Sequence, residues 1–189
     1  HCRMNNTHVL LYFLVFIIMS GCKESEAIPK PKAQIRLDYP QGKLATLETS
    51  KFSINYNQLA NPKENKDMAY TLEYPQMKGA IFLSYRPLNN DLDKLIQEAK
   101  RFSYEHAVKA DNIVEQPFVN TESKVYGSMF EVQGNAASQT QFFVTDSTNH
   151  FLTGSVYFYS KPNYDSILPA AAYLQNDIRN IMETLRWKK

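Results

Sequence analysis

The strongest constraint on the fold of this chain is a pair of strand patterns separated by a short turn cluster. In the first of them, residues 139–145, Phe142 and Val144 fall on one face and Gln141 and Phe143 on the other. An Asp-Ser-Thr-Asn run, typical of a tight turn, follows, and then comes a segment rich in aromatic and β-branched residues. Because a connection this short cannot join parallel strands, the sequence predicts an antiparallel hairpin.

Further strands and two helices are predicted around this hairpin. Alternating apolar residues indicate strands, whereas apolar residues at steps of three and four indicate helices. Asn61, Pro62 and the charged residues 63–67 predict a loop. The predicted strands lie at residues 47–56, 69–74, 79–85, 124–132, 139–145 and 150–159, and the predicted helices lie at residues 91–108 and 168–186.

The order of strands, helix, strands and helix predicts an α+β domain. Neighbouring strands joined by short turns form an antiparallel sheet, which the two amphipathic helices would cover. The order also resembles the PsbP/Mog1-type α/β/α sandwich, and a likeness of fold alone implies no function. We expect residues 35–189 to form this single globular domain.

The helix boundaries follow from capping residues and from proline. Asn90 is predicted to cap the first helix, because a side-chain oxygen at this position accepts a free backbone N–H. Pro169 is predicted in the first turn of the second helix, where the missing N–H has no partner to lose. The apolar stripe of the first helix contains Leu92, Leu95, Ile96, Ala99, Phe102 and His106.

The N-terminal segment indicates export and lipid attachment. Residues 9–19 carry no charge, and at eleven residues they cover only about half of a ~30 Å hydrocarbon core. They fit the apolar region of an export signal, and Ser20, Gly21 and Cys22 follow at once. This junction resembles a lipobox, in which the cysteine sulfur receives a diacylglycerol and the preceding peptide bond is cut. The alternative is a buried apolar helix that ends in a cysteine.

The lipobox reading divides the chain into three parts. Residues 1–21 are predicted to be a lipoprotein signal peptide, and residues 22–34 a lipidated N-terminus and flexible linker, because they combine charges with two prolines. Cys2, the other cysteine, lies in the leader, so no disulfide is predicted. Fatty acyl chains such as palmitate on Cys22 would anchor the protein to a lipid bilayer, with the domain outside the cytoplasm. The sequence leaves open whether this is the inner or the outer membrane.

The balance of charge argues against a nucleic-acid partner. The chain has 21 basic and 19 acidic residues, for a formal net charge of +2. Neutralising phosphates requires a concentrated basic face, which this composition does not provide. The sequence therefore predicts no nucleic-acid binding.

No recognisable set of catalytic groups emerges from the sequence. His106 lies on an apolar stripe, which is typical of a histidine at the edge of a core. His150 follows the turn cluster, where Asp146 is near enough for a local hydrogen bond. Ser138 lacks the G-x-S-x-G spacing, and no metal-ligand or phosphate-binding motif is present. We therefore predict no enzymatic activity, no cofactor and no metal site.

Two short segments are candidates for contact with a protein partner. Arg36, Asp38 and Tyr39 mix both charges with an aromatic ring after the linker, and Tyr164 lies in the segment before the last predicted helix. Exposed tyrosine and arginine are favoured interface anchors. Turn chemistry and packing explain both segments equally well, so both interpretations stay open.

Several stretches together resemble one protein family. RLDYP at residues 36–40, GAIFLSYRPLNNDLDKLIQEA at 79–99, YEHAVKADNI at 104–113 and the long segment 134–187 are similar to the gliding motility lipoprotein GldD family of Bacteroidota. The resemblance implies a lipoprotein required for gliding, tied to the envelope machinery that also serves type IX secretion. It implies no catalytic residue, and only Cys22 carries over, as the lipidated position.

Two other functions are left as alternatives. An envelope hydrolase would need a deep pocket in which His106 or His150 meets an acidic partner. A carrier of a small molecule or lipid would need an apolar cavity of ~300 Å³ or more. The reading we prefer is a non-catalytic component or accessory of the gliding and secretion machinery, which works by contacting other proteins of that machinery.

Overall fold

The structure, a computed structural model, describes residues 39–107, 110–159 and 164–189. These residues belong to one compact unit, Arg36–Lys189. The strands within the described residues are β1 (Leu44–Glu48), β2 (Phe52–Asn57), β3 (Asn61–Glu64), β4 (Ala69–Tyr74), β5 (Gly79–Pro87), β6 (Ala110–Asn120), β7 (Val125–Gly134), β8 (Thr140–Thr145), β9 (His150–Phe158) and β10 (Arg186–Trp187). The helices there are α1 (Leu92–His106) and α2 (Tyr164–Thr184), with a 3-10 turn at Pro75–Met77.

The strands form two antiparallel sheets. The larger has seven strands in the order β3-β4-β5-β9-β8-β7-β6, and the smaller has three in the order β1-β2-β10. Each hydrogen-bonded pair of neighbouring strands is antiparallel. The predicted α+β class, with an antiparallel sheet and two helices, is therefore confirmed.

The predicted hairpin is present as β8 and β9. The register pairs Gln141 with Ser155 and Thr145 with Phe151. Asp146 organises the turn, because its Oδ1 accepts the backbone N–H of Asn149 at 2.8 Å and that of His150 at 2.8 Å. The carboxylate thus provides acceptors for N–H groups that the strands leave unpaired.

Helix α2 packs on one face of the seven-stranded sheet. Leu174 and Ile178 are fully buried in a cluster with Phe142 and Val144 of β8. Phe52 of β2 joins the same cluster, so the smaller sheet also contributes to this core. We call this side of the seven-stranded sheet the α2 face.

Helix α1 packs on the opposite face, which we call the α1 face. Leu95 lies in a second cluster with Phe130, Phe143 and Phe151, and the Phe143 and Phe151 rings stack with centroids 5.8 Å apart. Since side chains alternate along a strand, Phe143 and its neighbour Phe142 lie on different faces. The resulting helix–sheet–helix layering agrees with an α/β/α sandwich, and the specific likeness to PsbP/Mog1 stays a prediction.

The single strand predicted at residues 47–56 is wrong, because the chain turns back on itself there. Strands β1 and β2 pair as a hairpin. The Thr49 hydroxyl accepts the backbone N–H of Phe52 at 3.0 Å and donates to the carbonyl oxygen of Phe52 at 2.8 Å. These local hydrogen bonds compete with strand continuation, which the apolar alternation alone did not reveal.

The loop predicted over residues 61–67 is wrong in its first half, and strand β6 was not predicted. Strand β3 occupies Asn61–Glu64, where every residue is exposed. Both β3 and β6 are edge strands, and each contains a proline, Pro62 and Pro117. A proline is tolerated at an edge because its missing N–H breaks no inner ladder. These strands follow from backbone pairing with a neighbour and carry little sequence signal of their own.

The helix boundaries differ from the predicted ones. Asn90 has φ 58°, and Asp91 stands at the N-cap of α1 without a side-chain cap hydrogen bond, so the predicted Asn90 cap is wrong. Helix α2 begins at Tyr164, which places Pro169 inside the helix rather than in its first turn. Phe102, predicted in the apolar stripe, is 40% exposed.

Candidate functional site

A cleft of about 440 Å³ lies between helix α1 and the sheet, and we call it the α1 cleft. Leu95, Ala99 and Phe102 line it from the helix, and Phe82 and Tyr157 line it from β5 and β9. Phe82 is 38% exposed and Phe102 is 40% exposed, so solvent reaches the apolar wall. The volume exceeds the ~300 Å³ that a small-ligand carrier needs.

The charged and phenolic groups of the α1 cleft leave it without net charge. Arg86 Nη1 and Glu98 Oε2 are 3.2 Å apart and form an ion pair. Burial raises the pKa of Tyr157, an effect that a hydrogen bond with Ser155 only partly offsets, so the phenol stays neutral at physiological pH. The cleft therefore presents an apolar wall and one ion pair whose two charges cancel.

Gln141 is the unusual side chain of the α1 cleft. It is only 2% exposed, and among the described residues neither its Nε2 nor its Oε1 has a hydrogen-bond partner. Two neighbouring hydroxyls bond elsewhere: Ser103 Oγ donates to the Ala99 carbonyl at 3.1 Å, and Thr153 Oγ1 donates to the Ser84 carbonyl at 3.4 Å. Buried polar atoms nearly always have a partner, so an unpaired buried amide requires an explanation.

A second group of titratable side chains surrounds His150. The Tyr85 hydroxyl and His150 Nδ1 share a 2.8 Å hydrogen bond. The imidazole stacks on Trp187 with centroids 4.9 Å apart and planes at 6°. Asp146 touches the backbone N–H of His150 rather than its ring, which agrees with the predicted local hydrogen bond.

The His150 ring is held in its neutral form. Burial lowers its pKa, Asp146 acts to raise it, and Lys51 acts to lower it, with a net shift below the ordinary value. Burial also raises the pKa of the Tyr85 hydroxyl, to which Asp146 adds. The turn carboxylate itself behaves differently: partial burial acts to raise the pKa of Asp146, but backbone N–H groups bring it below its usual range.

The start of the described chain is held against helix α2. The Tyr39 ring meets Tyr173 edge-on, with centroids 5.7 Å apart. The Tyr173 hydroxyl donates to the Pro40 carbonyl at 2.8 Å and accepts from Asn57 Nδ2 at 2.7 Å. Tyr39 is half-buried, so part of its ring stays accessible. Its predicted contact with a partner stays a prediction.

A half-buried carboxylate, Asp177, continues this network. Asp177 Oδ2 accepts from the Tyr74 hydroxyl at 2.9 Å and from Asn57 Nδ2 at 3.2 Å. Burial raises the pKa of Asp177 even though both hydrogen bonds act to lower it. Burial, with the nearby Asp177 charge, raises the pKa of Tyr74 far above its ordinary value. The hydrogen bonds of this network join Asn57 of β2 and Tyr74 of β4 to Tyr173 and Asp177 of α2 and so hold these elements together.

The other predicted site residues fall outside what the structure describes. Cys22, Arg36 and Asp38 precede the described residues. Tyr164 begins α2 and His106 ends α1, but their side chains are not part of the description. Their roles therefore stay predictions.

The described residues show no catalytic constellation of the kind that a hydrolase would need. No described histidine side chain lines the α1 cleft. Ser138 is fully buried, and its Oγ donates to the Thr140 carbonyl at 3.1 Å. Within the described ranges, no group of three or more histidine, cysteine or acidic side chains is placed to hold a metal ion.

Comparison with protein families gives the chain a family. The family described as "Gliding motility lipoprotein GldD" matches residues 24–187. The chain belongs to the GldD family. Membership implies a lipoprotein, anchored to a membrane of the cell envelope and involved in gliding motility. No curated protein matches the chain.

The matched region contains the whole described structure up to Trp187. Neither helix of the described part is long and apolar enough to cross a bilayer. The described helices and sheets are therefore read as those of a GldD family domain, with the α1 cleft and the His150 group inside the matched residues.

Sequence reasoning missed Gln141 as a residue of interest. Its alternation with Phe142 and Val144 placed it on the second face of β8 with no burial assigned, yet all six residues of β8 are buried. Phe143 on the same face was the available signal, because a strand that carries a large aromatic residue on its second face is covered on both sides.

Proposed function

We propose that this GldD family protein is a non-catalytic component or accessory of the gliding motility and type IX secretion machinery. Its family supports the link to gliding, and the lipobox-like junction at Cys22 supports attachment through acyl chains. In this proposal residues 1–21 are removed, residues 22–34 form the tether, and residues 35–189 work outside the cytoplasm.

The tether determines how the domain meets its partners. Each buried methylene contributes about 0.8 kcal/mol, so the two or three chains of a lipoprotein give lasting attachment where one chain is marginal. Confinement near the membrane raises the effective concentration towards other anchored proteins to roughly the millimolar range. Weak protein contacts then suffice, and Arg36, Asp38, Tyr39 and Tyr164 are the proposed contact residues.

The absence of a catalytic step is part of the proposal. Its support is that no described histidine lines the α1 cleft, and that the described His150 ring is buried against Trp187 with its Nδ1 bonded to Tyr85. A general base must lie within hydrogen-bond reach of a substrate proton, and a ring buried outside the cleft does not. The arrangement favours a protein that binds over one that hydrolyses.

The test is the substitution Cys22→Ser, which removes the sulfur that would be acylated. We expect the exported protein to leave the membrane fraction and gliding over a surface to stop, with the fold unchanged by circular dichroism. Cys2→Ser is the matched control, because it removes the other cysteine and leaves Cys22 in place. Normal spreading by a soluble, correctly exported Cys22→Ser protein would refute the proposed role of the anchor.

A further inference from the structure

We propose that the α1 cleft binds a neutral, largely apolar ligand that carries an amide group. This inference goes beyond the lipoprotein function proposed above and does not depend on acylation of Cys22. It rests on three properties of the described residues: the volume of the cleft, the unpaired amide of Gln141, and the absence of an unpaired charge among the lining side chains.

Gln141 determines which polar group the ligand should carry. Its side chain offers N–H donors and a carbonyl acceptor side by side, and both are buried without a partner among the described residues. A ligand amide supplies the complementary acceptor and donor together. A carboxylate only accepts and an ammonium group only donates, so either would leave one atom of Gln141 unpaired in a buried site.

The charges of the cleft favour a neutral ligand over an ionic one. Arg86 and Glu98 are the charged residues among the described lining, and they pair with each other. An anion near Arg86 is also repelled by Glu98, and a cation near Glu98 is also repelled by Arg86, so the pair attracts neither ion strongly. A neutral ligand leaves the pair intact and gives up less hydration on entry.

The side chains of the cleft walls favour an apolar scaffold for the ligand. Phe82 and Phe102 are partly exposed in the wall, and Phe130 and Phe151 lie deeper in the same cleft. Aromatic rings favour stacked or edge-on contacts with another ring. At about 440 Å³ the cleft falls within the range of sites for small organic ligands, ~300–1,000 Å³. An aromatic or aliphatic scaffold would pack against the apolar walls, and its one amide would pair with the amide of Gln141.

The test uses three probes that share one body: 4-phenylbutanamide, its methyl ester and its carboxylate. Calorimetric titration of the full-length protein in detergent, with protein-free micelles as the blank, gives the affinity of each. We expect the amide to bind at least about tenfold more tightly than the ester, which lacks a donor, and than the carboxylate. Equal affinities for the three probes, or no binding of the amide, would overturn the inference.

Two substitutions locate the binding. Gln141→Met keeps the length of the side chain but removes the amide, and we expect it to lower the affinity for the amide probe about tenfold, to the level of the ester. Gln97→Met makes the same change at an exposed position of α1 outside the cleft and should leave the affinity unchanged. An unaltered affinity in folded Gln141→Met would contradict the role of the amide.

Ala99→Phe provides an independent check that does not alter Gln141. The larger side chain projects from α1 into the cleft, so we expect it to weaken all three probes more than fivefold. Circular dichroism establishes that each variant is folded. If Gln141→Met does not fold, the ranking of the three probes on the wild-type protein still tests whether the ligand needs an amide. Ala99→Phe then tests whether the probes bind in the α1 cleft. Wild-type affinity in a folded Ala99→Phe protein would place binding elsewhere.

Discussion

On the α2 face of the seven-stranded sheet, Leu174 and Ile178 are fully buried and the polar groups of Tyr74 and Asp177 are hydrogen-bonded to each other. On the α1 face, Phe102 is 40% exposed and the buried amide of Gln141 has no partner among the described residues. One sheet thus carries a close-packed side and a side with a cleft. The comparison indicates that stability is concentrated on the α2 face and that the α1 face is the one suited to binding.

The largest expected effect comes from opening the close-packed face. Ile178→Ala removes buried methyl and methylene groups and leaves a cavity, so we expect the free energy of unfolding to fall by about 2–5 kcal/mol. Phe102→Ala, on the cleft side, should cost about 1 kcal/mol or less because the ring is already partly in solvent. Urea denaturation followed by circular dichroism measures both. Equal losses in the two variants would remove the distinction between the faces.

The next two substitutions change the free energy of unfolding in opposite directions on the two faces. Tyr74→Phe removes a donor from the half-buried Asp177 carboxylate and should cost about 1–3 kcal/mol. Gln141→Met removes an unpaired buried amide, so we expect it to raise the free energy of unfolding by about 1 kcal/mol. Gln97→Met, the exposed control, should stay within about 0.5 kcal/mol of wild type. A destabilised Gln141→Met protein would mean that the amide is satisfied in solution.

The smallest effect is a dependence on pH that arises where β9 meets β10. Since the pKa of His150 is lowered in the folded protein, the unfolded chain takes up a proton first as the pH falls through about 6.5. The stability that neutral His150 provides is thus complete above about pH 6.5 and is lost as the pH falls towards the folded pKa.

We expect the wild-type Tm to fall between pH 7.5 and pH 5.5, and we expect part of that fall to be absent in His150→Phe. Phenylalanine keeps a ring for stacking on Trp187 and has no proton to gain in this range. Thermal melts of the two proteins at both pH values measure the difference. Identical falls in both would show that other groups account for the acid sensitivity.

Local sequence patterns predicted the parts of the fold in which one segment determines its own structure. The β8–β9 hairpin was predicted because the alternation of Phe142 and Val144 and the turn residues around Asp146 act over neighbouring positions. Helix α1 was predicted to within two residues, because Leu92, Leu95 and Ala99 recur with helical spacing. Such signals need no knowledge of the rest of the chain.

Edge strands and the site residues were not predicted, because their surroundings come from distant parts of the chain. Strand β3 has only exposed residues and pairs through its backbone with β4, where Tyr70 and Leu72 are buried. Gln141 lies on a face that only the packing of α1 buries. A single-segment pattern contains no information on which helix covers which face.

The sequence by itself determined the family, the α+β class, the central hairpin and the approximate position of both helices, because family signatures and hydrophobic periods are local properties of the chain. Only the tertiary structure decided that α1 leaves a cleft of about 440 Å³ and covers Gln141 without giving its amide a partner among the described residues. The physical reason is that burial and hydrogen-bond satisfaction are properties of the neighbours that packing brings together, and here those neighbours lie far apart along the chain.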